Sequence, residues 1–388
     1  MKLAKNLNNL GTESAFSVLA EAKALEAKGH PMIHLGLGQP DFKTPKHVVE
    51  AAKKALDDGH HGYVMSNGIP ECREAVTRWI KKQYNANIDA ERILIMPGGK
   101  PTMSYAIQCF GEPGAEIIHP TPAFPIYESM INYTGSTPVP YDLTEDKDLK
   151  FDPDKILSLI TDKTRLLILI NPNNPTGSFV EKPVIDYFAK ELEKHPHVTI
   201  LSDEIYSRQI FDYKEMPSFF HYEALKDRLI VLEGWSKAYS MTGWRLGWSY
   251  WPKEMVAHVN KLLINSVSCV NAAAQFAGIA ALDGPDDSIN DMLDKFTLRR
   301  NLIHKGLNDL PGIECSLPGG AFYAFPKVKG TGMTGAEFCK KAMHEAGVAI
   351  VPGTAFGKTC QDYVRFSFAA SRDNIQQALE NIGKMLSK

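Results

Sequence analysis

RLLILINPNNPTG, residues 165–177, sets an almost wholly aliphatic run directly against a rigid polar elbow. Leucine and isoleucine without alternation suit a strand covered on both faces, and the two Asn-Pro steps with a closing glycine stop it abruptly. The same grammar extends both ways. Upstream, short apolar runs at 93–96 and 116–119 alternate with amphipathic segments at 103–110 and 127–133. Downstream, 184–194 has helical spacing, while 197–202 and 229–232 are again short and β-branched or aliphatic. Strands alternating with helices give an α/β fold whose large domain holds a mostly parallel sheet flanked by helices.

Beyond about residue 285 the character changes. A long helical pattern at 288–310 ends at Pro311 and Gly312, followed by strand-like 321–325, helical 335–346, strand-like 348–351 and 364–368, and a helix from Arg372. This is an α+β arrangement. The expected division is a large domain over 46–285 and a smaller one built from 1–45 and 286–388.

The 388 residues, 44% hydrophobic and 23% charged, have the balance of a chain that buries a full core, which excludes disorder, collagen and coiled coil. Forty-three basic against forty-five acidic residues leave a net charge of -2, so no field exists to hold nucleic acid or an anionic membrane. A small-molecule partner is expected. The start MKLAKNLNNL lacks the apolar run of a signal peptide, and the aliphatic run 166–170 is far below the roughly 18 residues of a membrane span. Six scattered cysteines, without a C-x-x-C pair, read as reduced and mostly buried thiols, so the expected location is the cytoplasm. No metal site is expected: His60 and His61 are adjacent, and Pro31 interrupts the pair His30 and His34.

In a doubly wound sheet ligands bind beyond the carboxyl ends of the strands, so polar residues following the apolar runs carry the candidate chemistry. After 93–96 comes Pro97-Gly98-Gly99-Lys100 at a helix start, either a phosphate cradle or an ordinary strand-to-helix turn. After 165–170 the asparagine elbow can hold a ligand hydroxyl. After 197–202 comes Asp203, a carboxylate that burial disfavours unless a cation or donor meets it, or else a cap for the next segment. After 229–232 comes Lys237 in small and aromatic surroundings. Desolvation there favours the neutral amine that attacks an aldehyde, although a lysine can also extend its head to water. Arg245, eight residues on, can offer a fork to a phosphate.

Together these pieces match the needs of pyridoxal phosphate. The sequence resembles the class I/II aminotransferases, pyridoxal phosphate enzymes of fold type I, through Asn171 to Gly177, Asp203-x-x-Tyr206, Ser236-Lys237 and Met241 to Gly247, with Gly36 to Phe42 and Arg365 extending the likeness over nearly the whole chain. The resemblance implies transfer of an amino group from an L-amino acid, with aspartate, alanine or an aromatic amino acid as the candidate donors, to a 2-oxo acid such as 2-oxoglutarate or pyruvate, by a ping-pong mechanism in amino acid metabolism. Lys237 would form the aldimine with the cofactor and move the proton. Asp203 would pair with the ring nitrogen, while Asn174 and Tyr206 would hold the ring oxygen. Arg245, Ser236 and the backbone of Gly99 and Lys100 would hold the phosphate, and Phe124 would stack on the ring. Arg365, helped by the backbone of Gly38 and by Asn174, would take the substrate carboxylate. Tyr63 would reach the phosphate of a neighbouring subunit, which implies a homodimer. The same fold also hosts β-lyases and cyclising synthases with an identical lysine and aspartate.

One departure concerns the phosphate: many relatives carry a hydroxyl residue three positions before the lysine, where this chain has Gly234. For the substrate side chain, Gln108 follows the phosphate turn and no arginine stands out for a second carboxylate. Phe124, Trp235, Tyr239 and Tyr323 are expected to make an aromatic lining suited to aromatic or medium apolar donors.

Overall fold

The computed structural model describes residues 1–143 and 149–387. Its strands in chain order are β1 (Ile33–His34), β2 (Ile93–Met96), β3 (Glu116–Thr121), β4 (Thr137–Asp142), β5 (Thr164–Ile170) and β6 (Thr199–Asp203), then β7 (Leu229–Gly234), β8 (Gly247–Tyr250), β9 (Tyr323–Ala324), β10 (Val348–Ala349), β11 (Val351–Pro352) and β12 (Val364–Ser367). Seven of them form the central sheet in the order β2-β8-β7-β6-β5-β3-β4. The run β4-β3-β5-β6-β7 is parallel, and β8 lies antiparallel to both of its neighbours. The α/β architecture with a mostly parallel sheet is therefore as the sequence indicates.

The aliphatic runs are explained by burial on two faces. In β5, Leu167 and Leu169 join one apolar cluster while Leu166, Ile168 and Ile170 join another, the alternation that a pleated strand imposes. β7 divides the same way, Leu229 and Val231 to one side, Ile230 and Leu232 to the other. Helices complete both layers by helical spacing: Lys182–Leu192 buries Ile185, Phe188, Ala189 and Leu192, one stripe along the helix.

A further apolar cluster collects mostly residues of the last hundred, such as Phe296, Phe338, Val364 and Ile382, together with Leu35. Here β1 pairs in parallel with β10, and β11-β12-β9 form an antiparallel sheet. The run 348–351, expected as one strand, is split between these two sheets. The helix Gly335–Glu345 starts with a reciprocal cap in which Thr334 and Glu337 each bond the other's backbone. No helix among the described residues is long and apolar enough to cross a membrane.

Candidate active site

Parallel strands end at one edge, and the loops leaving that edge bring together residues distant in sequence. Gly99 and Lys100 follow β2, Asn174 follows β5, Asp203 ends β6, and Ser236 and Lys237 lie on the one-turn helix Trp235–Ala238 directly after β7. Because β8 runs the other way, its beginning lies at the same edge, which brings Arg245 to the group. A cleft of about 480 Å³ is lined by Gly38, Gly99, Lys100, Phe124, Asn174, Asp203, Tyr206, Ser236, Lys237, Arg245 and Arg365, but not by Tyr63. The Tyr63 side chain is instead 93% exposed.

Asp203 is buried at the base. Tyr127 donates to its Oδ2 at 2.6 Å and the Ile205 amide to its Oδ1 at 3.2 Å. Burial outweighs these bonds and lifts the carboxyl pKa to about 6. Such a carboxylate is poised for a cationic partner. Lys237, half-buried, donates from Nζ to the Gly38 carbonyl at 2.6 Å. Desolvation, helped by the Arg365 and Arg245 charges, lowers its pKa to about 8, so the neutral amine is accessible near physiological pH.

Arg365 projects from β12 and is buried. Its Nη1 donates to Asn174 Oδ1 at 2.8 Å and its Nη2 to the Gly36 carbonyl at 2.6 Å, while Nε has no partner. The guanidinium lies 4.5 Å from the ring centroids of both Tyr323 and Phe356. Burial lowers its pKa, but both of its bonded acceptors are neutral, so the charge is free to meet an anion. The Gly36 carbonyl is the backbone group that fixes Arg365, while Gly38 lines the same cleft and its carbonyl accepts from Lys237. A Cβ at Gly38 would collide with the Tyr323 hydroxyl, which in turn bonds Tyr206 at 2.8 Å.

The turn after β2 is built on close backbone approach. Gly247 pairs with Met96 on one side and Gly234 on the other, and a Cβ at Gly234 would lie 2.8 Å from the Gly247 Cα. This explains the departure noted at position 234: there is no room for a side chain. Gly98, at φ +86°, packs against the guanidinium of Arg245, which donates to the Thr242 carbonyl at 2.8 Å. The substitution Gly98→Ala is expected to lower stability by about 1–3 kcal/mol, because the left-handed backbone is strained for alanine and the methyl must push the arginine aside. Calorimetric unfolding of the two proteins checks this.

Two aromatic residues expected in the cleft are elsewhere. Trp235 is fully buried with its indole N–H on the Gly278 carbonyl at 2.9 Å, and Tyr239 is buried in the large core cluster. The reason is helical geometry: positions 235 and 239 share a face, and Lys237 between them points the opposite way. Phe124 and Tyr323 do line the cleft, and Gln108 is exposed outside it. Three residues to which no role was assigned from the sequence also act here, two of them outside every quoted motif. Tyr127 holds Asp203, Gly36 holds Arg365, and Glu13 enters the cleft to meet Lys100 at 2.5 Å.

Known proteins share this fold and much of this sequence. The family model for aminotransferase class I and II matches residues 30–382. The aspartate aminotransferase of Bacillus subtilis is 32% identical over 394 residues, covering 100% of both chains. Among solved structures, the aspartate aminotransferase of Rhizobium meliloti superposes with a TM-score of 0.95 at 30% identity, covering 100% of this chain and 99% of its own. The aromatic aminotransferase of Pyrococcus horikoshii superposes with a TM-score of 0.88 at 33% identity, covering 95% and 98%. A match along almost the full length, over a cleft holding a desolvated lysine, a buried aspartate and a buried arginine, places this chain in the class I and II aminotransferase family, and it is an enzyme of that kind.

Proposed function

We propose that the chain moves an amino group from an L-amino acid to a 2-oxo acid with pyridoxal 5′-phosphate held in this cleft. The observation that carries the reading is the convergence in one cleft of a lysine with a depressed pKa, a carboxylate with a raised one, and an arginine with an unpartnered Nε. The donor set fits the cofactor. Asp203 would hold the ring nitrogen, Asn174 and Tyr206 the ring oxygen, and Phe124 a ring face. Arg245, Ser236 and the Gly99–Lys100 turn would hold the phosphate, where a side chain at Gly98 would intrude. When bound, pyridoxal phosphate supplies an aldehyde for the amino group and a ring that draws electrons from the substrate Cα.

The protein's own part is positioning and proton transfer. Arg365 takes the substrate α-carboxylate as a fork, with Asn174 and the carbonyl of Gly36 fixing the guanidinium plane. Lys237 Nζ takes the proton from the substrate Cα, a role that its lowered pKa suits near neutral pH. Tyr127 holds the Asp203 carboxylate in place from below.

The same reading has 46–285 as the domain that carries the cofactor and 1–45 with 286–388 as the smaller domain, supported by the pairing of β1 with β10. It has the chain working as a homodimer, with the exposed Tyr63 reaching the second subunit's phosphate. Six free cysteines, four of them buried, suit the reducing cytoplasm.

The deciding experiment is a visible spectrum of the holoenzyme before and after single L-amino acids, without any 2-oxo acid. Conversion of the cofactor band to a pyridoxamine-like band supports the reading, and ammonia release without that conversion would replace it with elimination chemistry. A second expected result concerns Arg365→Lys. Losing the fork should raise KM for amino acid and 2-oxo acid on the order of 10²-fold with the cofactor band retained. Loss of the band in that variant would show that the arginine holds the cofactor instead.

A further inference from the structure

Relatives named for aspartate and for aromatic amino acids both match this chain, so likeness alone leaves the side-chain class open. We propose that Glu13 sets that class, turning the enzyme away from substrates with a second carboxylate and toward those with uncharged aromatic or large apolar side chains. The inference rests on the transamination reading above and concerns the substrate of that same cleft.

Glu13 and Lys100 come from segments 87 residues apart and meet inside the cleft, Nζ to Oε2 at 2.5 Å. The Glu13 side chain is only 18% exposed, against 44% for Lys100, so the carboxylate is the more enclosed partner. Glu13 stands at the N-cap of the helix Ser14–Glu26, where a carboxylate can cap backbone N–H groups, yet its side chain makes no such bond. The helix end forgoes its cap and the charge is delivered to the cleft. Its potential reaches the reacting groups: Glu13 contributes a raising influence to the pKa of Lys237, Arg365 and Tyr323.

Of the four basic side chains lining the cleft, Lys237 and Arg245 are assigned to the cofactor, and the other two differ in what they can accept. Arg365 is bonded to a neutral amide and a carbonyl, which leaves its charge for the substrate α-carboxylate. Lys100 already holds a carboxylate. The second carboxylate of aspartate or glutamate would have to displace Glu13 from Lys100 and then lie beside it, like charge against like charge. An uncharged side chain meets no such obstacle. The Lys100 ammonium lies 5.7 Å from the ring centroid of Phe16 and 5.5 Å from that of Phe124, so the intact ion pair is flanked by aromatic surface on which an aromatic or aliphatic group can rest. Since 2-oxo acids enter the same site in the second half-reaction, 2-oxo acids with uncharged side chains should be preferred over 2-oxoglutarate for the same reason.

The test compares kcat/KM for L-phenylalanine and L-aspartate in wild type, Glu13→Gln and Glu13→Gln/Lys100→Met. Wild type should favour phenylalanine by at least about tenfold, Glu13→Gln should move the ratio toward aspartate by about tenfold or more, and the double variant should lose that gain because it acts through Lys100. Binding of maleate against 3-phenylpropionate to the holoenzyme by calorimetry reads the same preference without chemistry, and Glu13→Ser serves if the glutamine variant misfolds. A wild type that prefers aspartate, or a ratio unmoved by removing the carboxylate, overturns the proposal. If no amino acid converts the cofactor band, the transamination reading fails. The maleate and phenylpropionate affinities then still decide whether Glu13 selects against a second carboxylate.

Discussion

Lys237→Ala should lower kcat by at least about 10⁴-fold while leaving a folded protein that still takes up pyridoxal phosphate. The lysine is the basic side chain that lies against the Gly38 backbone with its pKa held near 8, whereas the other cations of the cleft have different tasks: Arg365 is fixed on Asn174 and Gly36, and Lys100 is paired with Glu13. Asp203, Asn174 and Arg245 keep their places without it, so cofactor uptake survives as a noncovalent complex with an altered absorption band. Folding should not suffer, because the substitution removes a desolvated amine whose bonded acceptor is a single carbonyl. Steady-state kinetics, the spectrum and thermal unfolding measured together check this. A loss of activity smaller than tenfold would remove Lys237 from the proton-transfer role.

Asp203→Asn should lower kcat on the order of 10²–10³-fold, since an amide cannot balance a positive ring nitrogen as a carboxylate does. The same residue predicts a pH signature in the cofactor-free protein. Its folded pKa, about 6, is raised above the ordinary carboxylate value by burial, so its contribution to stability is full at low pH and is lost as pH rises through about 6. Cofactor binding should therefore raise the melting temperature more above pH 6 than below it. In Asp203→Asn that pH dependence of the cofactor's effect should flatten. An unchanged profile would mean that Asp203 does not face the cofactor.

The legible parts of this fold are those where a short segment suffers one environment along its whole length. β2, β5 and β7 are clad on both faces along most of their length, so their buried positions are apolar and the runs at 93–96, 166–170 and 229–232 declare themselves. β4 is not declared, because an edge strand with the sequence TPVPYD tolerates two prolines and bonds one neighbour only. The split of 348–351 into β10 and β11 is equally hidden, since four buried apolar residues look alike whether one sheet receives them or two.

For the site, local patterning picks out the loops that carry polar chemistry, because polar residues just after a buried apolar run stand out against it. Asp203, the asparagine elbow, Lys237 and Arg365 all follow or sit in such runs. Which side chains meet, by contrast, is visible only once the chain is folded. Tyr127 reaches Asp203 across 76 positions, and Glu13 meets Lys100 across 87. Tyr206 finds Tyr323 across 117, and Trp235 turns into the core while Lys237, two residues on, faces the cleft. Local patterns record whether a residue is buried, since water acts on each segment separately. A partner is fixed by strand order and helix rotation, which depend on the whole chain at once.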